Sequence, residues 1–137
     1  MNQKVLLQIS LIVVGVAQIF FGVAFTFAPE KFSGLLGLST APQWAYWMFS
    51  MFGARSFAFA YGMLLAARDP MKHIHWIKAM IAVQVIDWLG TLYYLMNGGI
   101  TLSQVSSASI LPLIFILLLV VFYPREKKIS LITSQSD

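Results

Sequence analysis

Four apolar runs separated by short polar stretches set the pattern of this chain: residues 5–27, 44–67, 74–96 and about 100–123. Each is close to the roughly 20 residues with which an α-helix crosses about 30 Å of hydrocarbon. Open strands would leave backbone groups unpaired in lipid, so helices are the reading that survives. The pattern therefore predicts an all-α, integral-membrane, antiparallel four-helix bundle forming one domain over residues 1–137. The first run follows Lys4 and ends among small residues, as a secretory signal does. It is longer than a signal's apolar region and carries Gln8 and Gln18, so a retained anchor is expected.

The polar breaks predict how the runs are joined. In the longest, Ala28 to Gln43, Pro29 followed by Glu30 makes a good helix opening. Proline at the first position loses no needed hydrogen bond, and the acid favours the positive end of the dipole. A short outer interfacial helix is expected there, with Phe32, Leu35 and Leu36 facing the bilayer and Gly37 ending it. It would serve as a passive linker or as a lid. The stretch from Arg68 to His75 is short and polar, which makes the second and third spans an antiparallel hairpin. Asn97-Gly98-Gly99 reads as a stop and a tight turn. Pro112 is expected to kink the fourth span, with Ser103, Gln104, Ser106, Ser107 and Ser109 capping it or lining a vestibule. Residues 124–137 are polar and read as a mobile cytoplasmic tail.

Two charges interrupt the apolar pattern. Arg55 lies fifteen residues before Pro70 and Asp87 seventeen after it. At about 1.5 Å per residue both come to nearly the same depth, roughly 22 and 25 Å from one surface. An ionised group there is costly unless it is paired or faces water, so an Arg55–Asp87 ion pair is predicted. Gln84, Asp87, Thr91 and Tyr94 recur at steps of three and four, a polar stripe longer than one ion pair requires. On the first span Gly15, Gln18 and Gly22 share a face, where Gln18 serves either helix packing or a ligand. Phe52, Phe57, Phe59 and Tyr61 surround Arg55, and Phe59 at i+4 offers a cation–π face. These residues fit either an aromatic core around a structural ion pair or an aromatic-lined cavity anchored by Arg55.

Composition narrows the reading further. The chain is 59% hydrophobic and 10% charged, against about a quarter charged in soluble domains. The net charge of +4 does not point to nucleic acid, because the basic residues are few and sit mostly at segment ends. With four alternating spans, Lys4, Arg68, Lys72, Lys78, Arg125, Lys127 and Lys128 share one side and Lys31 alone takes the other. That bias places both termini in the cytoplasm. Trp44, Tyr46, Trp47, Tyr93 and Tyr94 then mark the outer boundary, with Trp76 and Tyr123 at the inner one. The absence of cysteine excludes disulfides, thiolate metal sites and dithiol chemistry. His73 and His75, two residues apart, make poor metal ligands, so no metal and no catalytic residue is assigned.

The stretches Phe27-Ala28-Pro29-Glu30-Lys31-Phe32, Gly53-Ala54-Arg55, Leu64-Leu65-Ala66-Ala67-Arg68-Asp69-Pro70 and the segment from Trp76 to Asp87 resemble the small DoxX-like and BphX-like bacterial membrane proteins. The likeness covers about the first two thirds of the chain. It implies a four-helix inner-membrane protein, and some DoxX relatives are associated with quinone-linked oxidoreductases. Three function classes follow. The first is a non-catalytic module that binds an apolar or amphipathic small molecule, or a partner's transmembrane helix, near Arg55, Phe59, Gln84 and Asp87. The second is a small transporter whose ion pair breaks during the cycle. The third is a quinone-linked subunit in which Arg55 or Tyr61 binds a quinone oxygen while a partner supplies electrons. Lipid is a partner in all three, nucleic acid in none, and each leaves room for a homo-oligomer.

Overall fold

A computed structural model describes residues 3–38 and 41–123, with backbone alone at 106–109. It is all-helical, with α1 (Gln3–Phe27), α2 (Pro29–Leu35), α3 (Gln43–Arg68), α4 (Ile74–Met96) and α5 (Leu102–Val121) in chain order. Among the described residues, α1, α3 and α4 are long and apolar enough to cross a membrane, while the described apolar part of α5 is Ile110–Val121. The basic tail residues Arg125, Lys127 and Lys128, and the side chains of Ser106, Ser107 and Ser109, lie outside the described residues.

The caps follow local chemistry. Pro29 opens α2 with Glu30 in its first turn, and Gly37 leaves it at φ 77°. Gly98 turns the chain after α4 at φ 69°. Asp69 closes the connection after α3, its Oδ1 accepting the Lys72 N–H at 3.2 Å. The Gln8 carboxamide donates to the Ala67 carbonyl at 2.9 Å, satisfying a last-turn acceptor that α3 cannot satisfy itself. The start of α5 is fixed by Gln104 Oε1, which accepts the Thr101 N–H at 2.9 Å. The break in α5 falls just after this capped turn, at Val105 (φ −127°, ψ 20°), and not at Pro112 as expected. The helix continues through Pro112, whose missing donor neighbouring groups in a bundle can offset.

Packing divides the bundle into two unlike halves. The end carrying the α3–α4 connection, called the inner end, is solid: Leu11, Val14, Met63, Ala66, Ile77, Met80 and Leu119 have no exposed surface. There Trp76 lies against Gly62 and edge-on to Phe59, ring centroids 6.4 Å apart. Helices α1 and α3 make the closest pair, followed by α4 and α5. Glycines bring α1 and α3 together: Gly22 faces the Phe57 ring, Gly15 faces Met63 and Leu64, and Gly53 faces the backbone of Gly22 and Thr26.

At the outer end α2 folds inward. Phe32 packs edge-on to Phe25 at 4.8 Å and close to Phe20 and Phe21, which corrects the expectation that Phe32, Leu35 and Leu36 share a lipid-facing side. Only Leu35 is fully turned out, at 83% exposure. A seven-residue helix has no room for a wide apolar face, so the aromatic ring with a cluster available to it turns in.

Candidate functional site

The solid packing of the inner half gives way, in the middle of the bundle, to a cavity of about 350 Å³. Helix α1 contributes Gln18, Phe21 and Phe25; α3 contributes Phe52, Arg55, Ser56 and Phe59; α4 contributes Val83, Gln84, Asp87 and Thr91. Leu111, Pro112 and Phe115 of α5 complete the wall, and Leu36, just after α2, reaches it from the outer end. Ligand sites of this kind typically measure about 300–1,000 Å³, apolar for the most part with a few convergent polar groups.

The periodicity of α4 explains its polar face. Val83, Gln84, Asp87 and Thr91 fall on one side of the helix and line the cavity, Asp87 itself remaining exposed, whereas Ile86, Leu89 and Tyr93 are exposed on the other. Gln18 and Gln84 are buried, at 8% and 6% exposure. Both carboxamides point their nitrogens at the Met80 sulfur, at 3.9 and 3.4 Å. A thioether is a weak acceptor, so much of the hydrogen-bonding capacity of both amides stays available to the cavity. The hydroxyls of Ser56 and Thr91 are spent on their own helices, donating to the Phe52 carbonyl at 3.1 Å and the Asp87 carbonyl at 2.8 Å.

Arg55 and Asp87 both line the cavity without touching, and both are exposed, which corrects the expectation of a buried pair. Arg55 is the charge that acts on Asp87, yet among the described residues no ion pair or hydrogen bond joins the two side chains. This corrects the predicted contact. The hairpin of α3 and α4 is pinned at its inner end by Gly62 and Trp76 and parts outward. A second cleft lies between the two helices, lined by Trp44, Met48, Phe49, Phe52 and Arg55 on α3 and by Thr91 and Tyr94 on α4. Similar depth was legible from residue counting, but distance across the gap was not.

The ring beside Arg55 is Phe52, with the guanidinium carbon 5.5 Å from its centroid, rather than Phe59. Helical side chains lean toward their helix's N-terminus, which carries Arg55 to the residue three before it. Phe59 keeps a place in the cavity wall. Of the other expected site residues, Tyr94 lines the outer cleft and not the central cavity. Tyr61 lines neither and is 63% exposed, because six positions on from Arg55 it has rotated off that face of α3.

Ser56, Val83, Phe115 and the α1 phenylalanines line the site without having been singled out, Pro112 lines it although expected only as a kink, and Met80 backs it as the acceptor of both amides. All but Ser56 and Pro112 look like ordinary span residues in sequence, and only the packing of the segments brings them together. The rings of His73 and His75 lie 6.1 Å apart at the inner connection, remote from the cavity lining. No cluster of three or more His, Asp or Glu occurs among the described residues. No protein-family model matches the chain, and no curated protein or solved structure matches it either.

Proposed function

We propose that this chain is a four-span module of the bacterial inner membrane, with both termini cytoplasmic, that binds a small amphipathic molecule in its central cavity without transforming it. The DoxX-like resemblance supports the membrane setting, and three helices of spanning length and composition support it independently. In this reading α5 completes the bundle as the fourth span, and the basic residues around the inner connection face anionic lipid.

The observation that carries the reading is the contrast between the two halves. A cavity of about 350 Å³ with a polar wall opens above a core with no exposed surface at Leu11, Val14, Met63, Ile77, Met80 or Leu119. Such a one-sided space suits retention of a ligand. It is also too small for a partner helix about 10 Å across, which favours a small molecule. A quinone would fit the apolar character of the walls, although Tyr61 is not placed to bind its oxygen.

Mass spectrometry of solvent extracts from the purified protein tests the proposal. Wild type should carry one class of small amphiphile at near-stoichiometric level, and a Val83→Trp variant, which fills the cavity with an indole, should carry much less. Identical extracts from a folded Val83→Trp variant and wild type would overturn it. A quinone in the wild-type extract would make that cofactor the ligand.

A further inference from the structure

The cavity presents two opposite charges that do not neutralise each other by contact. Phe52 covers one side of the Arg55 guanidinium, and among the described residues none of the guanidinium N–H groups has a hydrogen-bond acceptor. The Asp87 carboxylate likewise accepts no hydrogen bond from a described residue, although its backbone carbonyl accepts one from Thr91. A guanidinium offers five donors and a carboxylate about four acceptor sites. Both side chains line the cavity and are exposed, so a ligand that displaces water from them must replace the hydrogen bonds that water makes.

A ligand with a single charge satisfies one of them and opposes the other. A fatty-acid carboxylate at Arg55 would share the space with the Asp87 carboxylate, and an alkylammonium at Asp87 would share it with Arg55. A head group with no net charge that carries both an acceptor and a donor meets both at once. Gln18 and Gln84, nearly fully buried and bonded only to the Met80 sulfur, add donors and acceptors on the same wall.

The tail of such a ligand has a place as well. The cleft between α3 and α4 shares Phe25, Phe52, Arg55 and Thr91 with the central cavity and continues past Met48 and Phe49 to Trp44 and Tyr94. It is an apolar passage from the charged groups to the aromatic residues at the outer end of the bundle.

Resting on the binding reading above, we infer that the site selects a net-neutral, single-chain amphiphile whose head bridges Arg55 and Asp87 and whose tail lies in the α3–α4 cleft. Three probes with the same twelve-carbon chain length separate this from its alternatives: 1-monolauroylglycerol, laurate and dodecylamine. Binding to the full-length protein in lipid nanodiscs is measured by native mass spectrometry across a concentration series.

Wild type should bind monolauroylglycerol about tenfold more tightly than either charged probe, as expected when one charge-assisted hydrogen bond is gained and one like-charge opposition avoided. Arg55→Gln should shift the preference to dodecylamine, and Asp87→Asn should shift it to laurate. A general loss of folding would lower all three affinities together and could not produce this crossed pattern. Saturable binding of laurate or dodecylamine at equal or higher affinity by wild type would overturn the neutral-head inference and leave the binding module standing. So would a preference unchanged in both folded variants. No saturable binding of any probe, together with ligand-free wild-type extracts, would instead remove the binding module itself.

Discussion

Arg55→Asp is expected to destabilise the protein, and Asp87→Arg in the same molecule is expected to recover most of the loss. The single change replaces two opposite charges around one cavity with two carboxylates. Both positions are exposed and, among the described residues, already carry unpaired charges in the wild type, so the added cost is the like-charge opposition across the cavity, about 1 kcal/mol after solvent screening. The exchange restores overall neutrality with the charges transposed. Since Arg55 and Asp87 are not in contact, recovery requires only that both face the same space, not that a bidentate geometry be rebuilt. Reversible unfolding in mixed detergent–SDS micelles measures all three proteins. A double variant as unstable as Arg55→Asp alone would mean that the two groups do not sense a common cavity.

The second large effect falls on backbone packing. A Cβ at Gly53 would stand 2.8 Å from the Thr26 nitrogen and 2.9 Å from the Gly22 carbonyl oxygen, and real Cβ atoms do not approach backbone so closely. Thr26 Oγ1, buried there without a hydrogen-bond partner among the described residues, shows how little room the contact leaves. Because main chain cannot swing aside as a side chain can, Gly53→Ala should cost about 1–3 kcal/mol by overpacking and Gly53→Val more. Gly90 provides the control. Nothing lies within 4 Å of its added Cβ, so Gly90→Ala should stabilise α4 by roughly 0.5–1 kcal/mol through helix propensity. The same unfolding measurement compares them, and equal effects at the two glycines would exclude close α1–α3 packing at Gly53.

Much of this architecture is legible in the hydropathy pattern, because segment length and polar breaks are what lipid and backbone hydrogen bonding constrain most strongly. Ile74 and Met96 bound α4 as the apolar run does, and Pro29 and Gly37 mark α2 by their own conformational limits. Gln18, Arg55, Phe59, Gln84, Asp87 and Thr91 meet at one cavity. Their shared polarity or helical spacing identifies them, since each is an exception to an apolar run or falls beside one.

Lateral relationships are a different matter. Counting residues from Pro70 gives the height of Arg55 and Asp87 but not the gap between their helices, which depends on how Trp76 and Gly62 pin the hairpin. The pairing of Arg55 with Phe52 in place of Phe59 follows from side-chain lean, which spacing alone does not convey. The inward turn of Phe32 needs the Phe25 cluster to be in place first. Nothing local foretells the break at Val105, because proline is the expected cause of a kink and Pro112 lies seven residues away.

Thiol labelling along α4 tests the central claim most directly, namely that a cavity with a few convergent polar groups lies inside the bundle at the level of Asp87. The chain has no cysteine, so single-cysteine variants give an unambiguous signal. Thr91 lines the cavity, whereas Leu89, two residues away and 54% exposed, looks outward toward acyl chains. Only a hydrated thiolate attacks a small, charged, membrane-impermeant methanethiosulfonate, forming a mixed disulfide and releasing methanesulfinate. In lipid nanodiscs, which present both membrane faces, Thr91→Cys should react readily and Leu89→Cys should not, with prior addition of monolauroylglycerol slowing Thr91→Cys alone. Labelling of Leu89→Cys in preference to Thr91→Cys, or an inert thiol at both positions, would contradict the cavity.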